Sequence, residues 1–177
     1  FKSRLITQVD DDLPQPANLQ IQEATRLLIL TDYQITGIEW NFVEPTIVLF
    51  NGVTRIQGLS SERPLIISGP AMFVQTSGEF IADNVIFTNS KFHPIGNRNW
   101  SGAINILESE SKIGKISIID SDAEDAINFV SGYVEAAELT IENTRSDAID
   151  LDFVRGTFEK IICKNIGNDC FDTSEST

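Results

Sequence analysis

A short motif recurs in this chain at a fixed interval. Residues 125–129 are Asp-Ala-Ile-Asn-Phe, residues 147–151 are Asp-Ala-Ile-Asp-Leu and residues 169–172 are Asp-Cys-Phe-Asp, so the interval is 22 residues both times. Asn143 and Asn165 repeat at the same spacing. A fixed period of this length indicates a repeat protein whose units stack along one axis.

Side-chain alternation within the repeat predicts strands rather than helices. Ile149 and Leu151 are separated by Asp150, and residues 116–119 are rich in β-branched side chains. Two-residue alternation is typical of a strand with one buried side, and β-branched runs disfavour helix. One coil cannot bury its apolar row alone, whereas coils stacked about 4.8 Å apart can. The chain is therefore predicted to be all-β, a right-handed parallel β-helix of about 22 residues per coil.

The same phase continues upstream and is broken once by an insertion. Phe73 stands 54 residues before Ile127, which fits two coils plus about ten residues, and the surplus is assigned to residues 90–100. Gly78, Gly132 and Gly156 are expected at corners, where the backbone turns. One column of polar residues is expected to form a ladder inside the coil that satisfies turn backbone: Asn89, Asp120, Asn143 and Asn165.

The two ends are less regular than the middle. Residues 1–44 are predicted to be an N-terminal cap and lead-in segment, with residues 17–30 as a short helix or a first strand, the helix being preferred. Residues 45–177 are predicted to be the coils. Thr177 falls part-way through a coil, so we expect the coils to continue, or the last one to make end-to-end or flanking-domain contacts.

Composition narrows the partner classes. Thirteen basic and 26 acidic residues give a formal net charge of −13, which is the wrong sign for a nucleic-acid binder. No apolar run has the roughly 18 residues of a membrane span. Cys163 and Cys170 are seven residues apart, and their spacing leaves both a disulfide and free thiols open.

These coils, with their Asp-Ala-Ile-Asp pattern and asparagine column, resemble the pectate-lyase-like superfamily of right-handed β-helices over roughly residues 45–177. The resemblance implies an extracellular or cell-surface protein of carbohydrate chemistry, either an enzyme or a non-catalytic surface module. For an enzyme it implies a lyase or epimerase acting on uronic-acid glycans. It also implies calcium as the cofactor, held near residues 147–150 and 169–172, with a lysine base from a later coil.

Acidic side chains form two predicted columns, one on the outward side of the strands and one at the corner before them. Two roles stay open for these aspartates, a solvated or turn-capping role and a calcium site, because clustered carboxylate oxygens are the ligands that calcium prefers. The candidate metal ligands are Asp147, Asp150, Asp152, Asp169 and Asp172.

The insertion is the second candidate site. Loops inserted into solenoids lie on one face and often form the binding surface. Its cations, aromatics and single histidine could bind a polysaccharide, with the tryptophan ring stacked on a sugar; alternatively, the ring packs against the coil beneath it. The candidate carbohydrate-binding residues are Lys91, His93, Arg98 and Trp100.

No complete set of catalytic residues is recognisable, so the catalytic residues stay unknown. Three hypotheses follow: a non-catalytic, carbohydrate-binding β-helix module, a fragment of a calcium-dependent uronide lyase or epimerase, and a structural spacer. The insertion favours the first.

Overall fold

A computed structural model of the chain describes residues 25–91, 93 and 100–177, and β-strands are the only regular elements in that part. All pairings between its named strands are parallel. The predicted all-β parallel solenoid is confirmed, with about 6 turns of roughly 23 residues each. The strands are β1 (Arg26–Thr31), β2 (Gln34–Gly37), β3 (Glu39–Asn41), β4 (Thr46–Gly58), β5 (Leu65–Ser68), β6 (Ala71–Asp83), β7 (Val85–Thr88), β8 (Gly102–Leu107), β9 (Ser109–Ser121), β10 (Asp125–Val130), β11 (Tyr133–Thr144), β12 (Asp147–Asp152), β13 (Arg155–Phe158), β14 (Ile161–Ile166) and β15 (Phe171–Ser174).

The strands stack in three faces. Face 1 contains β1, the first halves of β4 and β6, and then β8, β10, β12 and β15. Face 2 contains β2, the second halves of β4 and β6, the first halves of β9 and β11, and β13. Face 3 contains β3, β5, β7, the second halves of β9 and β11, and β14.

The register confirms the repeat and places the insertion. Ile104 lies between Phe73 and Ile127 in adjacent strands of face 1, so the predicted pairing two coils apart is correct. Strand β7 ends at Thr88 and β8 begins at Gly102, so the extra residues are those assigned to the insertion. The insertion therefore begins and ends at the corner between face 3 and face 1.

Alternate side chains fill one continuous core. The buried inward residues of face 1 include Val48, Phe73, Ile104, Ile127 and Ile149, each 2% exposed or less. Burial of such side chains removes roughly 25 cal/mol of unfavourable hydration per Å² of apolar surface and is the main force holding the coils together.

The asparagine column is present, but outside the coil rather than inside it. Asn143 and Asn165 have φ of 59° and 52°, a left-handed conformation that Asn and Asp tolerate well. Asn165 Nδ2 donates to Asn143 Oδ1 at 3.0 Å, and Asn143 Nδ2 donates to Asp120 Oδ1 at 2.9 Å. All three residues are exposed. The internal ladder was wrong because a left-handed corner turns its side chain towards solvent.

The N-terminal helix preference is not met in the part that the structure describes. Residues 26–30 of the segment in question belong to strand β1, which pairs with β4. Residues 17–24 lie outside the described residues. Strands β1, β2 and β3 all belong to the sheet, so solenoid pairing is present before residue 45.

The two cysteines are bonded. Cys163 in β14 and Cys170 before β15 form a disulfide with a Cα–Cα distance of 5.9 Å. The bond ties the last full coil to the strand that follows it. Phe153 and Phe171 are 57% and 41% exposed in this C-terminal part of the solenoid.

Candidate functional site

Both ends of the insertion are fixed to face 1. The amide of Lys91 donates to the carbonyl of Ala71 at 3.1 Å, and His93 Nε2 lies 2.9 Å from the carbonyl oxygen of Pro70. The Lys91 side chain is exposed and the His93 side chain is half-buried. Arg98, the third candidate carbohydrate-binding residue, lies outside the described residues.

Trp100, the fourth candidate, packs on the outer side of face 1. It is half-buried against a small apolar cluster formed by Ile47, Met72 and Val74, each with no exposed surface. These three residues point away from the main core, because their strand neighbours point into it. The tryptophan therefore covers apolar surface of the coils beneath it.

The next residue along the chain reaches a polar cluster on the same face. Asn128 Nδ2 donates to Ser101 Oγ at 2.8 Å, and Ser101 is also hydrogen-bonded to the carboxyl group of Asp125. Asp150 is the register partner of Asn128 in the next coil. We call this group of four residues, Ser101, Asp125, Asn128 and Asp150, the acidic pocket.

Two members of the acidic pocket are buried although they are polar. Asp125 is 3% exposed and Asn128 is 4% exposed, while Ser101 and Asp150 are half-buried. Asn128 therefore occupies the same outward column as Asp150 but is buried there. The Oδ1 atom of Asn128 has no hydrogen-bond partner within the described residues. A buried acceptor without a partner is uncommon and costs free energy.

Burial also changes the acidity of the pocket. Desolvation is the largest cause that raises the pKa of Asp125 to about 6, and Glu124, Asp147 and Asp172 raise it further, against a hydrogen bond from Ser101 that lowers it. Desolvation likewise raises the pKa of Asp150 to about 6, with Asp125, Asp152 and Asp172 adding repulsion. None of the ion pairs found within the described residues reaches these carboxyl groups. The acidic pocket thus concentrates negative charge, and no lysine or arginine of residues 25–91 or 100–177 forms an ion pair with it.

The predicted corner aspartates cap turns. Asp147 is the register partner of Asp125, and its Oδ1 accepts hydrogen bonds from the amide of Asp169 and from Asn168 Nδ2, both at 2.8 Å. Asp169 itself is exposed. Asp147 therefore fixes the turn that precedes β15.

The outward aspartates stack as predicted. Asp172 is the register partner of Asp150, and Asp152 pairs with Val130 and Ser174 along the same strands. No group of three or more His, Cys, Asp or Glu side chains within the described residues is arranged to hold a metal ion. The calcium site at Asp147, Asp150, Asp152, Asp169 and Asp172 stays a prediction.

Ser101 is the functional residue that sequence reasoning missed. It directly follows the insertion, and its register counterparts in the next two coils are Glu124 and Ser146, so the repeat shows no constant residue at this position. Its importance follows from what it contacts, since it joins Asp125 to Asn128. Only its position beside Trp100, at the return of the insertion to face 1, could have singled it out.

A concavity crosses face 2, and two of its charged side chains are paired with another residue. This open groove of about 490 Å³ is lined by residues that include Asp83, Lys112 and Glu135. Lys112 is paired with Glu79 at 2.8 Å, and Asp83 Oδ1 accepts the amide of Lys115 at 3.0 Å. Two of its charged groups are thus already engaged, whereas the acidic pocket keeps an unpaired acceptor.

The fold places the chain among the parallel β-solenoids. Comparisons with family models, with curated proteins and with solved structures found no match. A search of residues 25–91, 93 and 100–177 likewise found no helix that is long and apolar enough to cross a membrane.

Proposed function

We propose that this chain is a non-catalytic, carbohydrate-binding β-helix module of a secreted or cell-surface protein, and that the acidic pocket is its binding site. The observation that carries the proposal is the half-buried carboxyl group of Asp150, which lies beside Asn128 at the return of the insertion and forms no ion pair within the described residues. A ligand that donates hydrogen bonds would satisfy it.

Sugars match the chemistry of this pocket. Each sugar hydroxyl group can donate one hydrogen bond and accept others, and the half-buried side chains of Asp150 and Ser101 are the accessible polar groups of the acidic pocket. Asn128 and Asp150 are held by paired strands rather than by a loop, so the acceptors are positioned before a ligand arrives. An insertion that returns to the solenoid beside such a pocket is typical of recognition surfaces in repeat proteins.

The disulfide supports the proposed location. Cys163 and Cys170 are bonded. Disulfides persist in oxidising compartments and outside the cell and are rare in the cytosol.

Calorimetric titration with a panel of soluble oligosaccharides tests the function. We expect at least one oligosaccharide to bind wild-type protein, and Asp150→Ala to weaken that binding about tenfold, because a lost hydrogen bond to a ligand group costs about 1–2 kcal/mol. Asn165→Ala is the matched control, since Asn165 lies at an exposed corner on another part of the coil. Equal losses in both variants, or no binding by any sugar, would exclude the pocket as a glycan site.

A calcium-dependent uronide lyase or epimerase is the second candidate. The observation in its favour is the register that stacks Asp125 on Asp147 and Asp150 on Asp172 in adjacent coils. A lyase would release unsaturated uronides, which absorb ultraviolet light, and would stop when calcium is chelated. Heat of calcium binding that vanishes in Asp172→Ala would favour this candidate over the first.

A further inference from the structure

We propose that an open trough along the corner between face 1 and face 2 is a second glycan site, which binds linear neutral sugars with the ring of Tyr133 as a stacking platform. This inference rests on the proposed carbohydrate-binding function and names a class of glycan. It is carried by a concavity of about 600 Å³ that crosses four adjacent coils and is lined by residues that include Gly78, Glu110, Gly132 and Tyr133.

The floor of the trough is backbone, because glycine recurs there. Gly52 pairs with Gly78, and Gly78 pairs with Ser109, in adjacent strands. A Cβ atom on Gly78 would lie 2.3 Å from the carbonyl oxygen of Gly52, and one on Gly132 would lie 2.4 Å from that of Ser109. The coils approach each other too closely here for side chains. The repeat therefore keeps this corner open along the solenoid.

The groups that line the trough are reached from solvent. Tyr133 is 44% exposed, and its hydroxyl group donates to Glu135 Oε1 at 3.0 Å, which orients the ring. Glu108 and Glu110 are exposed, and neither takes part in an ion pair found within the described residues. Carboxylates accept hydrogen bonds from hydroxyl groups, and an aromatic ring offers an apolar face at a low cost in conformational entropy. Both features suit a sugar ring.

A sugar fits this trough better than a peptide does. The strands at its floor are paired on both sides, since Gly78 lies in register between Gly52 and Ser109. An added peptide strand would find no free edge there, and its amide groups would lose water without gaining partners. A sugar instead carries hydroxyl donors around its rim and a C–H face that packs on Tyr133.

The charges of the trough favour a neutral glycan. Glu79 is paired with Arg55 at 3.7 Å and with Lys112 at 2.8 Å, whereas Glu108 and Glu110 add negative charge to the same lining. A uronide would therefore be repelled. The exposed carboxylates need no counter-cation, because ion pairs in water contribute little. Hydroxyl groups are sufficient partners for them.

Calorimetry tests the class of glycan. Linear hexasaccharides of glucose, mannose, xylose and galacturonic acid are titrated into the whole chain at about 0.15 M salt, where charges more than roughly 8 Å apart are screened. We expect at least one neutral hexasaccharide to bind about tenfold or more tightly than hexagalacturonate, because like charges are opposed in the complex of the latter.

Variants assign that binding to the trough. Tyr133→Ala should weaken it about tenfold, because the ring supplies the apolar contact. Tyr133→Phe is the matched control, since it keeps the ring and loses only the hydroxyl bonded to Glu135. Glu110→Ala should weaken binding about fivefold through a lost hydrogen bond, whereas Glu159→Ala, at an exposed glutamate on the other side of face 2, should leave it unchanged. All three positions are exposed, so we expect folded protein, which a thermal melt checks.

Asp150→Ala separates the trough from the acidic pocket. A loss in Tyr133→Ala that Tyr133→Phe does not share supports the inference, whatever Asp150→Ala does. Binding that depends on Asp150 and not on Tyr133 would overturn it while leaving the proposed function intact. Hexagalacturonate that binds more tightly than every neutral hexasaccharide, or a hexalysine peptide that binds as tightly as the best of them, would overturn the assignment to neutral glycans. Binding of no carbohydrate would remove the proposed function together with the inference.

Discussion

The first three coils and the last three follow the same backbone path but are packed differently. In the first three, aromatic rings meet along the core: the Phe73 ring lies 5.2 Å from that of Phe87 and 5.7 Å from that of Phe42. In the last three, the core is mainly aliphatic, with Ile127 and Ile149 stacked in register. The same register therefore accommodates two kinds of core, since strand pairing fixes the coil and not the identity of its side chains.

The outer side of face 1 also differs between the first coils and the last. In the first coils it carries Ile47 and Met72, which Trp100 covers, so that apolar surface is buried at no electrostatic cost. In the last coils the corresponding side carries Asn128, whose amide is buried, and Asp150, whose carboxylate is repelled by neighbouring acids. The outer side of face 1 thus buries no charged group in the first coils. In the last coils it carries the carboxyl groups of Asp125 and Asp150, whose mutual repulsion is destabilising and is of the kind found at binding sites.

Truncation of one buried phenylalanine in each region should give the largest difference. We expect Phe73→Ala to lower the free energy of unfolding by about 3–5 kcal/mol, and Phe129→Ala by less, because Phe73 loses several ring contacts and each aromatic pair adds about 0.5–1.5 kcal/mol. Both rings are 2% exposed, so burial alone does not separate them. Urea unfolding measures the two losses. Equal losses would show that the aromatic stack adds nothing beyond area.

Lowering the pH should stabilise the C-terminal region. The pKa of Asp125 is about 6 in the folded chain against an ordinary 3.8, so the folded state binds a proton more readily than the unfolded state. The free energy of unfolding therefore rises as the pH falls from 7.5 to 5, by about 1 kcal/mol from Asp125. Asp150 acts in the same direction but contributes less because it is only half-buried.

The rise in the free energy of unfolding on acidification should end near pH 4.5, the ordinary pKa of a glutamate. Lysines lower the pKa of Glu79 and Glu138. The stability that these two ion-paired groups contribute is therefore lost only below their ordinary pKa of 4.5. Urea unfolding of Asp125→Asn is the control: we expect higher stability than wild type at pH 7.5 and a flatter profile down to pH 5. If the free energy of unfolding of the wild type falls steadily as the pH is lowered from 7.5 to 5, Asp125 is not the source of its pH dependence.

Sequence alone predicts most of this fold because the fold is periodic. The 22-residue interval fixes which residues stack, and alternation fixes which of them point inward, so Ile127 and Ile149 are assigned correctly without coordinates. The period also places the insertion between Thr88 and Gly102, because residues in surplus must leave the register. The side on which the asparagine column lies does not follow, since it depends on the left-handed backbone of Asn143.

The candidate site is predicted only in part, because it depends on contacts outside the period. Repetition places Asn128 beside Asp150 but gives no reason for Asn128 to be buried. Ser101, where the insertion returns, bonds to Asn128, and the register counterparts of this serine are Glu124 and Ser146, so the repeat alone does not predict the contact. The period likewise does not show that Trp100 packs on Ile47, Met72 and Val74, and its role in stacking on a sugar stays a prediction.

The smallest expected difference in stability between the two regions lies in the exposed asparagine column, at Asn89 in the first three coils and Asn143 in the last three. Asn89 and Asn143 are both exposed, with φ of 57° and 59°, so alanine at either position should cost about 1 kcal/mol for its left-handed backbone. The Asn143 side chain also bonds to the coils on both sides, whereas the Asn89 side chain, within the part of the chain that the structure describes, bonds only to Thr88 beside it. We therefore expect Asn143→Ala to cost about 0.5 kcal/mol more than Asn89→Ala in urea unfolding. Glycine tolerates this backbone, so Asn143→Gly minus Asn89→Gly isolates the ladder from the strain. A difference of zero in both pairs would mean that the exposed ladder reports the register of the last coils without stabilising it.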